Sequence, residues 1–242
     1  GHLRLSNGIL SGPITLIGSA NAQILSMRGT KNTINGAIGE SGDVASVYIN
    51  GGSGLGSELT IAGNNTYGGH TSITGMATVN LTGSLGTGRV SVWPRSTLGG
   101  NGEIGGSLAF FDTASLKADM SGDALTVAGN VDLGPATTLK VEVTPDAARG
   151  PFPVLRYTGT LTGTAANLII DYPPSYRRAE LAFTPGLITL DIGTKELVWR
   201  KGTTWNSGTD MCWGTAGISR ITDFFFKGDS VVFDDTGGGT NN

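Results

Sequence analysis

Apolar residues recur at every second position in short runs along the chain, and the runs break at Gly or Asn. Leu59 and Ile61 alternate with Thr60, and Gly63-Asn64-Asn65 interrupts them. Ile73 resumes the run, Gly75 breaks it again, and Val79 and Leu81 carry it on. Two-residue periodicity marks strands with one buried face, and runs this short between turn formers predict many short strands joined by tight corners. Upstream, the same texture groups Leu3 with Leu5, Ile14 with Leu16, Ile24 with Leu25, Ile34 with Ile38, and Val44 with Val47 and Ile49. Asn7-Gly8, Gly12-Pro13, Asn35-Gly36 and Asn50-Gly51-Gly52 separate them as turn sequences. Downstream, Val90 and Val92, Leu98, Ile104, Leu108, Leu116, Leu125 and Val127, then Leu139, Val141 and Val143 continue the alternation.

Sustained over a chain, this pattern predicts a coiled sheet, a β-solenoid whose strands bury one face in the coil. Ile61, Val92, Val127 and Val141 are expected inside, and Thr60, Ser91, Thr126 and Lys140 outside. With about 20 residues per turn and sheet neighbours about 4.8 Å apart, ten or so turns would make a rod of roughly 50–60 Å. A filled interior of this kind leaves no small-molecule pocket. Residues 1–144 form this coil in the reading. From Pro145 the texture changes to longer strands (151–163, 167–186 and 187–193), so residues 145–193 are expected to form wider turns or a modified section of the coil. A linker to a separate domain is the alternative there. Pro173-Pro174 forbids regular pairing and marks a loop.

The stretch 59–81, LTIAGNNTYGGHTSITGMATVNL, resembles the passenger-associated repeat of bacterial autotransporters, through Leu59, Thr60, Gly63, Asn65, Thr66, Tyr67, Gly69, Thr71, Ile73 and Leu81. Gly68-Gly69-His70 departs from that family's usual order, and Met76-Ala77-Thr78 lengthens the last corner. Residues 96–102 resemble the turn that follows in the same family. The segment 194–242 resembles the Trp-rich module of these proteins, through Trp199, Trp205 and Trp213 and then Phe226, Gly228, Asp229, Ser230, Val231, Phe233, Asp234 and Asp235. The tryptophans are read as packing at a corner, with an exposed aromatic platform for sugars as the alternative. The resemblance implies a right-handed parallel β-helix, all-β and elongated, on the outer surface of a Gram-negative-type bacterium. It implies a non-enzymatic structural and adhesive role.

Composition narrows the classes. Glycine numbers 40 of 242 residues, far above the usual ~7%, yet it has no period of three, which excludes collagen. Apolar residues make up 38% and sit in alternating runs, which argues against disorder. A net charge of −3, with Arg177-Arg178 an isolated basic pair, offers no stripe for phosphates and speaks against nucleic acid. Cys212 is the single cysteine and has no internal disulfide partner. No apolar run is long enough to span a membrane and no signal peptide begins the chain, so it reads as a mature or excised piece.

Candidate chemistry is thin. The carboxylate pairs are Asp234-Asp235, Asp119 with Asp123, and Glu40 with Asp43. Neighbours on a strand point to opposite faces, so Asp234 and Asp235 do not flank one bond. Asp119 and Asp123 bracket a turn. Residues 51–59 approach the nonapeptide repeat that coils around calcium, but Gly56 stands where the ligand Asp belongs. His2, His70 and Cys212 are too few and too scattered for zinc, and His70 lies in a Gly-rich corner with no nucleophile elbow. No catalytic, cofactor-binding or metal-binding residue is assigned and no cofactor is expected.

A solenoid needs caps, because an open last turn exposes core and strand edges, and neither end of this sequence reads as one. The expected partner is a second copy, docking end to end through the terminal turns as one period of a tandem array or filament. A fragment carrying Gly1-His2 as a tag remnant is the alternative. Surface glycans or other cells are the further partners considered. A polysaccharide-degrading or glycan-binding β-helix is the second functional reading, and it would require at least three carboxylates or basic residues converging on one exposed groove.

Overall fold

A computed structural model describes the chain except residues 19–20, 27, 53–55, 119–122, 142–149, 172–178, 194, 201–205, 207–208, 215–222, 226–228 and 234–242. The protein is all-β and solenoid-like, built on two parallel sheets of eight strands each. The first sheet stacks His2–Leu5, Asn21–Ser26, Ser46–Asn50, Thr71–Thr74, Val90–Val92, Leu108–Phe110, Val131–Asp132 and Leu161–Thr162. The second stacks Ile9–Leu10, Lys31–Ile34, Ser57–Ile61, Ala77–Leu81, Thr97–Gly100, Ser115–Ala118, Thr137–Val141 and Leu168–Asp171. After each pass through these two sheets the chain crosses a third side. There Ile14–Ile17 pairs with Ile38–Ser41, and later Ser84–Leu85, Glu103–Ile104, Leu125–Val127 and Gly150–Tyr157 pair in parallel.

Register explains why short runs suffice. Leu59 sits opposite Val79, Val79 opposite Leu98, Leu98 opposite Leu116, and Leu116 opposite Leu139, and all five are fully buried or nearly so. Each strand needs only one or two inward side chains, because the passes above and below complete their burial. The expected inward residues Ile61, Val92, Val127 and Val141 lie in this core.

Several expectations need correction. The coil makes eight passes, not ten, so it spans roughly 34 Å at about 4.8 Å per strand. The passes lengthen toward both ends, from Thr97 opposite Ser115 to Lys31 opposite Glu58 and to Thr137 opposite Leu168. Ser91, expected outside, is 1% exposed. It lies in register between Ser72 and Ala109, which are buried too. The Trp93 indole N–H donates to Ser72 Oγ at 3.2 Å, and the Arg89 guanidinium lies 5.7 Å from the Phe111 ring. Val44 precedes its strand rather than belonging to it and is exposed. The interior is also not filled throughout. A cavity of about 180 Å³ opens at the first pass, where Ala22 faces Leu3, Ile14 and Leu16.

The section 145–193 divides. Gly150–Tyr157, Leu161–Thr162 and Leu168–Asp171 make one wide parallel pass, with one 3-10 turn at Ala165–Asn167. Ala179–Thr184 and Leu187–Ile192 then form an antiparallel hairpin, and the second of these pairs antiparallel with Gly150–Tyr157. Two residues, Pro185-Gly186, join the hairpin, and so short a loop connects only antiparallel strands. Gly186 takes the left-handed φ of 78° that this turn needs. Ile188, Leu190 and Ile192 are buried in the coil's core, and Leu181 and Phe183 pack against it. The hairpin therefore covers apolar surface and one sheet edge at this end, where the sequence shows no cap. Pro173-Pro174 and Asp146 to Arg149 lie outside the described residues.

Downstream, Glu196–Trp199, Trp213–Gly214 and Ser230–Val232 form a three-stranded sheet with its own core of Leu197, Cys212 and Trp213. Trp213 is fully buried and meets Trp199 edge-on at 4.9 Å, so these two tryptophans are packing residues. Trp205, Phe226, Gly228, Asp234 and Asp235 lie outside the described residues. Lys195 Nζ pairs with Asp223 at 2.7 Å, and its backbone N–H donates to Asp229 Oδ1.

Candidate functional site

The repeat-like stretch first has to be accounted for as architecture. Asn65 is 3% exposed and binds three passes together. Its Oδ1 accepts the Ile38 N–H at 2.7 Å, while its Nδ2 donates to the carbonyls of Gly63 and of Ser84, at 3.1 and 2.7 Å. A corner breaks the ladder and leaves backbone groups without partners, and one carboxamide supplies both donor and acceptor. Tyr67 fills the interior beside it. Its hydroxyl lies 2.7 Å from Thr71 Oγ1, and burial pushes its pKa up to about 12 against the weaker opposing pull of that hydrogen bond. Gly63 and Gly69 sit so close to the preceding pass that a Cβ would run into the Gly36 and Ala45 carbonyls. The residues that carry the family resemblance are thus the ones that close this corner.

The chemically suggestive residues are mostly absorbed in the same way. Glu40 accepts the Ala45 N–H at 2.8 Å and the Gly68 N–H at 3.0 Å, which ties its carboxylate to two passes. Asp43 and Asp123 are exposed, and Asp119 lies outside the described residues. His70 is half-buried, with Nε2 3.5 Å from Ser72 Oγ, and its pKa is lowered by burial and then by the Arg89 charge. Cys212 is buried, and burial followed by the Asp210 carboxylate pushes its thiol pKa up, away from a reactive thiolate. Among the described residues no group of three or more His, Cys, Asp or Glu is placed to hold a metal ion. The structure does not bring His2, His70 and Cys212 together.

What the sequence does not flag is a groove of about 390 Å³ on the outer face of the second sheet. The outward row of that sheet runs Lys31, Glu58, Thr78, Thr97, Ser115 and Thr138 in register. Lys31, Glu58, Arg95 and Lys140 are the charged residues lining the groove, with Thr78 and Thr97 between them and Met76 at its side. Lys31 and Glu58 pair at 2.9 Å with both side chains exposed. Neither Arg95 nor Lys140 has an acidic partner among the described residues.

Two places before each residue of that row except Thr138, the chain turns the corner into the second sheet, in one left-handed column. Gly29 has φ 70°, Gly56 φ 68°, Met76 φ 61°, Arg95 φ 66° and Thr113 φ 59°. Glycine adopts this conformation freely, and residues with a Cβ do so at a cost. Met76 and Arg95 therefore hold long side chains over the groove at positions where the earlier passes use glycine. The sequence contained the signal, since the registers Ser57 opposite Ala77 and Thr78 opposite Thr97 carry Gly56 onto Met76 and Met76 onto Arg95. Reading it required the register, which alternation alone does not supply. Compared with known proteins, the chain matches no protein-family model and no curated protein, so the autotransporter resemblance rests on its motif residues alone.

Proposed function

We propose that the chain is a right-handed parallel β-helix of autotransporter-passenger type, acting outside the cell as a non-enzymatic structural and adhesive scaffold. The observation that carries this reading is the continuous stack of inward aliphatic side chains between two eight-stranded parallel sheets. Such a core gives rigidity along one axis and leaves the outer faces for contact. End-to-end association of copies through terminal passes belongs to the same reading, with the first and second sheets supplying the edges. Small-angle X-ray scattering tests the shape. A skewed distance distribution with a long tail is expected, and a symmetric one overturns the rod. Protease shaving of intact source cells tests the location, and the protein is expected to be lost from the surface fraction.

A second reading, a glycan-acting β-helix, is favoured by one observation: four charged residues converge on the second-sheet groove, as that reading requires. We take it as binding rather than cleavage. Among the described residues Glu58 is the one carboxylate lining the groove and is engaged with Lys31, whereas glycoside hydrolysis by acid and base needs two carboxylates across one bond. Reducing ends or unsaturated products released from acidic or neutral polysaccharides would overturn the non-enzymatic assignment.

A further inference from the structure

We propose that the groove on the outer face of the second sheet binds an acidic polysaccharide, with its anionic groups on Arg95 and Lys140 and a hydroxyl on Thr78. The site deepens the adhesive reading above and rests on it only for where such a ligand would be met.

The backbone supplies the first ground. In the corner column Gly29, Gly56, Met76, Arg95 and Thr113, the left-handed conformation recurs pass after pass, so glycine is the residue that fits without strain. Strained backbone held in place by its surroundings concentrates where side chains serve a ligand rather than the fold. Met76 and Arg95 are also the column's two long side chains, and both line the groove.

Charge supplies the second. A chain of net charge −3 places Lys31, Arg95 and Lys140 against the single carboxylate of Glu58 in one concavity. That combination attracts an anion of moderate charge density. The passes of Lys31 and Lys140 lie five strand spacings apart, roughly 24 Å, long enough for a short oligosaccharide laid along the axis. Arg95 presents a planar fork that fits carboxylate or sulfate in two-point contact, and Lys140 adds a point charge. The half-buried Thr78 hydroxyl between them offers one donor and acceptor, whereas Thr97 beside it in register is buried. Nucleic acid fits less well, because three cations tempered by a carboxylate neutralise few phosphates and, among the described residues, no aromatic ring lines the groove for base stacking.

The test is titration of the full chain with polygalacturonate, heparin, dextran and a short DNA duplex at low and moderate salt. Carboxylate-bearing and sulfate-bearing sources are separated by the first two probes. Binding to at least one of them is expected, weakened by salt, with none to dextran. Arg95→Gly is expected to lower that affinity about tenfold, the loss of one charge-assisted contact, while the melting temperature holds or rises. Lys140→Ala should lower affinity as well, without involving a corner. Absence of binding to both acidic probes, unchanged affinity in both variants, unfolding of Arg95→Gly, or tighter binding to the duplex would each overturn the proposal. A rod-shaped protein that binds neither acidic probe would lose this site and keep its scaffold.

Discussion

Two corners of the same coil meet the demands of the backbone in opposite ways. At the corner around Asn65 and Tyr67, every special residue relieves a constraint: Gly63 and Gly69 make room, and Asn65 supplies the missing hydrogen bonds. At the corner of Met76 and Arg95, the constraint is the left-handed turn, and the residues that occupy it aggravate it. The first corner is polar but closed on itself. The second is polar, open and charged. A fold places residues of the first kind wherever the chain must bend, so a polar residue at a corner says little about function until its partners are counted. A residue that makes the corner harder to form says more.

The largest effect should come from forcing side chains into the closed corner. Gly69→Ala drives a Cβ into the Ala45 carbonyl, where both partners are backbone and neither can yield. A loss on the order of 3–5 kcal/mol is expected, read as failure to refold or a collapsed denaturation midpoint. Asn65→Ala comes next. It strands the buried Ile38 N–H, at about 1–3 kcal/mol for a strongly desolvated group, while the Gly63 and Ser84 carbonyls lose a second donor but keep the backbone N–H groups of Ser84 and Asn65. About 2 kcal/mol in total is the expectation. Urea denaturation checks it, and Asn65→Asp should fail to restore the wild-type value at neutral pH, since a carboxylate has no N–H for the Gly63 and Ser84 carbonyls.

Tyr67 gives the closed corner a pH signature. Its folded pKa of about 12 lies above the ordinary value of 10.0, so the folded state holds the proton longer than the unfolded chain does. The associated stability is fully present below pH 10 and is lost as pH rises toward 12. Two pH units correspond to about 3 kcal/mol. Melting curves taken across that window should fall more steeply for the wild type than for Tyr67→Phe, which has no phenol to ionise. Parallel slopes would show that Tyr67 is more hydrated than its burial implies.

The sequence discloses the two corners unequally, for a physical reason. Alternation in Leu59–Ile61, Val79–Leu81 and Leu139–Val141 is a local consequence of the pleat, so it can be read without knowing which strand neighbours which. The Asn65 corner is legible too, because its residues recur as a motif. Ser91 departs from the pattern because it is buried between Ser72 and Ala109 of the neighbouring passes, a placement no local pattern encodes. The hairpin 179–192 was visible as long strands but not as a cover, since antiparallel return onto Gly150–Tyr157 is a matter of topology. The groove was the least legible. Lys31, Glu58, Arg95 and Lys140 are far apart in the chain and converge only through accumulated register, and the strain at Met76 appears only once Gly29 and Gly56 are seen above it.

That column permits the finest test, because its positions share one backbone conformation and differ in side chain. If the left-handed turn is the controlling constraint, Met76→Asn should stabilise the coil by about 0.5–1 kcal/mol, since asparagine tolerates this region better than an unbranched apolar residue. The reciprocal change, Gly56→Ala, should cost about 1–2 kcal/mol. It gives an L residue the φ of 68° and sets its Cβ 2.9 Å from the Met76 carbonyl oxygen, a backbone contact that adds to the cost. Opposite signs at two neighbouring positions of one column would locate the energy in the backbone rather than in packing. Were Met76→Asn to destabilise, the thioether would be contributing more by contact along the groove wall than its backbone loses. The open corner would then be held by its side chains, as the closed one is.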